Sequence, residues 1–206
     1  MKPVIVFGDR DLAEMAKFYF GDRVIGFTKH FPEKDTFCNL PMYDFEKIES
    51  TFTTEEVEIF APLTDNHTRA SIYKQVKMMG YKMPTFIHPT AHVWNHNAIG
   101  DNCFIQELNN VQYRTSVGNN VVMWAGNHIG HHGTIRDHVF ITSHVVVSGH
   151  CDIKNYCWLG VNSTIRDFTV LAEGTKLGAA TNVTKSINEA YGIFIGNPAK
   201  RIGNVD

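Results

Sequence analysis

Ile129-Gly-His-His-Gly-Thr-Ile135-Arg-Asp-His-Val-Phe-Ile141-Thr-Ser-His-Val-Val-Val147 places an aliphatic residue at every sixth position. The frame continues on both sides. Stepping by six from Ile99 meets Ile105, Val111, Val117 and Met123, then the quoted anchors, then Ile153, Leu159, Ile165, Leu171, Leu177 and Val183. All fifteen positions are Ile, Leu, Val or Met, which chance does not supply. Four residues after each anchor lies a second register: Cys103, Asn109, Thr115, Val121, Asn127, Gly133, Val139, Val145, Cys151, Cys157, Ser163, Thr169, Thr175 and Thr181. None is larger than Val or Asn. One large and one small inward residue per six describes parallel strands wound as a solenoid, each coil burying its core against the next. The large residue fills the axis and the small one fits a tight corner. Ile87 and Val93 keep the phase, so the solenoid is expected over residues 86–206.

The same slots account for three cysteines. Cys103, Cys151 and Cys157 all fall in the small register, where a thiol acts as a compact hydrophobe. With Cys38 they form no Cys-x-x-Cys pair, so no metal-binding or redox motif is present.

Residues 1–85 follow a different pattern. Lys2 to Phe7 is a short apolar run, followed by Gly8 and a helical spacing of Leu12, Met15, Ala16 and Tyr19 over Asp11 to Phe20. Val24 to Phe27 and the run from Val57 read as further strands. Thr64-Asp65-Asn66 supplies N-cap chemistry for a helix to about Met79. Strand, helix, strand, strand, helix suggests a small Rossmann-like parallel sheet. The turn Gly8-Asp9-Arg10-Asp11 has one glycine where a dinucleotide fingerprint needs three, which argues against NAD. A helix N-terminus at the carboxyl end of such a sheet still suits one sugar-linked nucleotide.

Composition narrows the function. The chain has 206 residues, 43% hydrophobic and 19% charged, as an ordinary globular protein does. Nineteen basic against twenty-one acidic residues give a net charge of -2, with no surplus to collect the phosphates of nucleic acid or an anionic bilayer. No apolar run approaches the about 20 residues of a membrane span. The N-terminus turns charged too soon for a signal peptide. The expectation is a cytoplasmic, reduced protein.

The residues also carry a family resemblance. Ile129-Gly-His-His-Gly-Thr, Leu159-Gly-Val-Asn-Ser-Thr and Leu177-Gly-Ala-Ala-Thr-Asn resemble the hexapeptide repeats of left-handed β-helix acyltransferases. The tail Gly192-Ile-Phe-Ile-Gly-Asn-Pro-Ala-Lys-Arg looks like the Gly-x-Pro-Ala-Lys ending of that superfamily. The left hand comes from this resemblance, since the ordinary crossover rule favours the right. A short nucleotide-binding-like domain followed by such a solenoid resembles the PglD/NeuD family of sugar acetyltransferases.

That resemblance implies an acetyl-CoA-dependent N-acetyltransferase acting on a nucleotide-linked amino sugar, in bacterial glycan, capsule or lipopolysaccharide precursor synthesis. It implies a homotrimer with sites between columns, and no metal. His131 matches the place of the family's catalytic histidine and is expected as general base, an imidazole being neutral near pH 7. A backbone N–H near Gly149 is expected to stabilise the oxyanion. Gly8, Asp9, Arg10, Thr64 and Asn66, with Trp124 and His128, are the expected acceptor contacts. Gly149, Gly178, Ala179, Lys185, Pro198 and Lys200 are the expected coenzyme contacts, with Arg201 beside them. Asp137, Asn127 or a backbone carbonyl is the expected orienter of His131. His132, His138, His144 and His150 recur three residues after their anchors and read as outward polar turn residues.

Three other readings stay open. One is transfer to a sugar hydroxyl. A second is a γ-carbonic-anhydrase-like zinc enzyme using His128, His131, His132 and His150. The third is a non-catalytic trimeric nucleotide-sugar-binding scaffold.

Overall fold

The structure, a computed structural model, describes residues 1–205. Its contacts divide into two units, Met1–Phe86 and Ile87–Asp206.

In the first unit β1 (Val4–Phe7), α1 (Asp11–Phe20), β2 (Val24–Lys29), β3 (Thr36–Phe37), β4 (Leu40–Asp44), α2 (Ile48–Thr51), β5 (Glu58–Phe60) and α3 (Asn66–Met78) follow in order. The sheet runs β3-β4-β2-β1-β5, parallel except where β3 pairs antiparallel with β4. β1 is buried throughout, as an apolar central strand must be. The apolar side chains of α3 and the loop after it, Ile72, Val76, Tyr81 and Met83, pack with Ile5 and Ile59. The residues between the second and third expected strands carry no period, yet they form β3, β4 and α2. β4 hides because Pro41 and Asp44 interrupt its apolar positions, and its pairing with β2 overrides that weak propensity.

The second unit is a left-handed parallel β-helix, as its repeats suggested. Two-residue strands end on the anchors and pair eighteen residues apart, so three six-residue rungs make one coil. The first face holds Phe104–Ile105, Val122–Met123, Phe140–Ile141, Trp158–Leu159 and Lys176–Leu177. The second holds His92–Val93, Asn110–Val111, His128–Ile129, Val146–Val147, Thr164–Ile165 and Asn182–Val183. The third holds Ser116–Val117, Thr134–Ile135, Asp152–Ile153 and Val170–Leu171. From Ile105 to Val183 every anchor is buried. The tail strand Gly192–Ile195 adds to the first face and pairs antiparallel with Lys200–Asn204.

The corners differ from expectation in one respect. The sharp turn falls three residues after the anchor, not on the small residue that follows. Asn102, Leu108, Arg114, Asn120, Gly126, His132, His138, His144, His150, Tyr156, Asn162, Phe168, Gly174 and Ala180 all have φ between 53° and 77°. None is β-branched, because a branched Cβ is costly in that left-handed region. The small residue points inward and is selected for more than size. Cys103, Cys151 and Cys157 donate their thiols to the carbonyls of Gly118, Arg166 and Ala172. Thr115 donates to Gly130 O at 2.7 Å, and Asn109 to Gln106 O and Trp124 O at 2.9 Å. Each acceptor is the residue just after an anchor, so this register satisfies corner carbonyls that would otherwise be buried and unpaired. The thiols are accordingly inert: burial raises Cys151, and pushes Cys157 up to about 12.

Candidate active site

His131 lies at the corner between the second and third faces, two residues past Ile129. Both it and its neighbours His132 and His150 are exposed. Its ring lies across the bare Cα of Gly149, one coil on: a β-carbon at Gly149 would stand 2.9 Å from His131 Cε1 and 3.1 Å from Nε2. The backbone locks the same two coils together, since His150 N–H donates to His131 O at 2.9 Å.

The corner histidines form a ladder. His132 and His150 stack at 5.0 Å with 9° between planes, and Phe168 stacks beneath His150 at 4.6 Å and 6°. Above, Tyr113 meets His132 edge-on at 5.7 Å. His131 stands edge-on to both imidazoles, 5.1 Å from His132 and 5.2 Å from His150. Its Nδ1 is 3.0 Å from His132 Nδ1, a hydrogen bond that needs one protonated and one bare nitrogen. Partial desolvation within the ring stack, then the adjacent His150, His131 and Arg114, lower the pKa of His132, so the neutral ring is favoured.

The orienters expected from sequence are engaged elsewhere. Asp137 sits at the corner between the third and first faces, where its Oδ1 accepts from Asn119 N–H at 2.7 Å. Asp101 N–H is likewise bonded by Asn119, and Asp137 N–H by Asn155, so side chains cap this column of N–H groups. Asn127 is buried in the core, donating to Asn109 Oδ1 at 2.9 Å. At the His131 corner the capping column is missing, and the Gly149 N–H has no acceptor among the described residues.

His128 lies on the second face, its backbone in register with Asn110 and Val146. Trp124 opens the preceding corner, and its buried indole Nε1 has no partner among the described residues. Lys185, Pro198 and Lys200 share with Ile187, Phe194 and Arg201 a cavity of about 630 Å³ at the C-terminal coils. Arg201 is neutralised there by Glu189, while Lys185 and Lys200 form no ion pair among the described residues. Gly178 and Ala179 lie outside that cavity. The space over Gly178 is filled by Ile195, whose Cγ2 a β-carbon would approach to 2.7 Å. Ala179 is exposed.

In the first unit Gly8 turns the chain with φ +117° and donates to Thr28 O at 2.8 Å. Arg10 is the N-cap residue of α1 without a side-chain capping bond. Asp9 pairs with Lys29 at 2.8 Å, and both line a 120 Å³ cavity with Pro32, Lys34, Thr36 and Phe37. The cap of α3 is Asp65, which accepts from Thr68 N–H at 2.8 Å. Asn66 is buried instead, accepting from the fully buried Arg69, which also donates to the carbonyls of Leu63 and Thr64. Arg69 thus fixes the loop before α3, a role the sequence pattern did not expose.

A resident metal does not fit the histidine ladder. The ring nitrogens of His131, His132 and His150 come within 4.8 Å of one another. However, the His132 and His150 planes are parallel, so their in-plane lone pairs cannot converge on one ion. The His131 and His132 Nδ1 atoms are already bonded to each other.

No protein-family model matches the chain. Solved structures do match. A histidine-to-asparagine variant of perosamine N-acetyltransferase from Caulobacter crescentus, complexed with CoA and GDP-perosamine, superposes with a TM-score of 0.90 over 99% of this chain and 98% of that one, at 17% identity. WeeI from Acinetobacter baumannii AYE gives 0.89 at 14% identity, over 98% of this chain and 100% of its own. The acetyltransferase domain of PglB from Neisseria gonorrhoeae FA1090 gives 0.63 at 18%, over 98% and 100%. The chain has their fold. At these identities the likeness carries the architecture of both units, and the resemblance seen in the hexapeptides holds at that level.

Proposed function

We propose that the chain is an acetyl-CoA-dependent N-acetyltransferase acting on a nucleotide-linked amino sugar, with His131 as general base. The observation that carries this reading is an imidazole held across a glycine, beside that glycine's own uncapped backbone N–H. Support comes from the fold shared with the perosamine enzyme, two histidine-substituted variants of which have been captured with CoA and GDP-perosamine.

In this reading the amine of the sugar attacks the thioester carbonyl. A C–N bond forms, and the carbonyl oxygen takes the negative charge. Gly149 N–H donates to that oxyanion. His131 Nε2 accepts the amine proton, then passes it to sulfur as the C–S bond breaks, releasing the coenzyme as its thiol. No acyl-enzyme is required, in keeping with the burial of Cys103, Cys151 and Cys157. The 1–85 domain takes the nucleotide, through Arg10, Asp9 and the loop at Thr64. The 86–206 domain takes the coenzyme, with Lys185 and Lys200 facing its phosphates. Trp124 and His128 line the acceptor side. The working form is a homotrimer, acting in the cytoplasm on precursors of a bacterial surface glycan. Among the described residues no helix is long and apolar enough to cross a membrane.

The test is mass spectrometry of the protein with acetyl-CoA and a panel of UDP-, dTDP- and GDP-linked amino sugars. One sugar gaining an acetyl group is expected. The His131→Asn variant should lose about 10²–10⁴ in kcat, the worth of a positioned general base, with an unchanged circular dichroism spectrum. Turnover near wild type in that variant would remove His131 from the role.

A further inference from the structure

We infer that His132 is the positioning residue for His131: its imidazole Nδ1 accepts the His131 Nδ1–H and so leaves His131 Nε2 bare to take the substrate proton. The inference rests on the acetyl-transfer reading and names the group that organises its base.

An isolated neutral imidazole carries its proton on either nitrogen, and only one tautomer offers a base at Nε2. A single bonded Nδ1–Nδ1 pair at 3.0 Å couples the two rings: if His131 holds the shared proton, its Nε2 is free, and if His132 holds it, His131 is an Nε2 donor and useless as a base. Three features hold the two rings in this pair, to which the proposal assigns the first arrangement. His132 is clamped face-to-face on His150 and edge-on to Tyr113, so its Nδ1 cannot turn away. Desolvation within the ring stack, then the neighbouring His150, His131 and Arg114, discourage a further proton on it. Asp137 and Asn127, the side chains expected to orient His131, are bonded at other corners. His132 holds this place because of the fold: φ +55° at the corner turns the side chain following His131 back alongside it.

The backbone dictates the variants. Glycine and asparagine both accept φ near +55° without strain, unlike alanine or valine. His132→Gly therefore deletes the acceptor alone, and His132→Asn puts an amide oxygen where Nδ1 was. Long-range ¹H–¹⁵N correlation on the full-length protein labelled with ¹⁵N-histidine reads the tautomers, with His131→Asn assigning the His131 signals. The expected result is His131 protonated at Nδ1 and bare at Nε2 in the wild type, reverting to the Nε2–H form in His132→Gly and retained in His132→Asn. In parallel, kcat for acetyl transfer should fall about tenfold or more in His132→Gly, less than the loss of the base itself, with KM for both substrates within about twofold. His132→Asn should recover most of it.

A wild-type His131 already in the Nε2–H form, or a His132→Gly protein with unchanged tautomer and kcat, would overturn the assignment. A wild-type protein acetylating no sugar in the panel would overturn it together with the reading beneath it. The wrong tautomer in an active wild type would overturn the assignment alone.

Discussion

A β-carbon on Gly149 would overlap the His131 ring, and the overlap is with ring atoms rather than the end of a flexible chain. The φ of Gly149 is not positive, so alanine fits the backbone there and meets the imidazole first. The substitution is thus a nearly pure displacement of the proposed base. Gly149→Ala is expected to lower kcat about tenfold or more, because misplacing a reacting group by about 1 Å is costly, while the melting temperature stays within a few degrees. Steady-state kinetics beside a thermal melt checks it, and full activity in the variant would mean the ring is not held where it lies here. His131 and Gly149 were expected only through the family resemblance of the hexapeptides that hold them, and the structure brings the two together one coil apart. His132 could not be given its role that way. Its function depends on a left-handed turn that folds one residue against the previous one, and a linear pattern records the turn only as a recurring polar position.

At the scale of the element, the six-residue rung obeys three selections at once, and they were legible to different degrees. The anchor register was plain, because Ile, Leu, Val or Met fills it without exception. The inward small register was visible as a limit on size, but its donor chemistry appears only when Cys, Thr and Asn are seen to reach the same carbonyls. The left-handed register is recorded in the sequence only as an absence of Val, Ile and Thr at the third position. That absence predicts a cost. Asn162 has φ +58° and an exposed side chain with no bonding of its own recorded, so Asn162→Val should destabilise by about 1–2 kcal/mol, the penalty of a branched Cβ in this region. Asn162→Gly should be close to neutral. Thermal melts of the two variants decide it, and equal melting temperatures would mean the corner relaxes. In the first unit β4 stayed hidden because its evidence is a partner, β2, rather than a period.

The third face supplies an acid-sensitive element. Asp152 pairs with Arg136 at 2.8 Å and with Lys154 at 2.5 Å, and the hydrogen bond from Arg136 is the foremost reason its pKa is lowered. A carboxyl depressed in the folded state is protonated first in the unfolded chain as pH falls. Its stabilisation is complete above the ordinary carboxylate range and is lost as pH falls through the depressed folded value. The melting temperature of the wild type should therefore drop more steeply below about pH 4 than that of Asp152→Asn. The effect should be small, since both basic partners are partly exposed. Parallel acid limbs in the two proteins would show that the pair is not coupled to folding.

In the proposed reading, the whole molecule divides two substrates between two units with different physics. The first unit offers a helix start at the end of a parallel sheet, with Arg10 free of any capping bond, an arrangement suited to a phosphate-linked ligand. The second offers Lys185 and Lys200 around an open cavity, where only Arg201 of the basic residues is already neutralised. If the units divide the labour in this way, their kinetic signatures separate. Arg10→Ala should raise KM for the nucleotide sugar about three- to tenfold, the range of a partly exposed charge-assisted hydrogen bond, and leave KM for acetyl-CoA unchanged. The double variant Lys185→Ala/Lys200→Ala should do the reverse, and its KM for acetyl-CoA should converge with that of the wild type as salt rises, because screening removes what the lysines supply. Initial rates varied in both substrates at two ionic strengths measure all of this together. A coenzyme effect from Arg10, or a sugar effect from the lysine pair, would reassign the ligands between the units while leaving the chemistry at His131 as proposed.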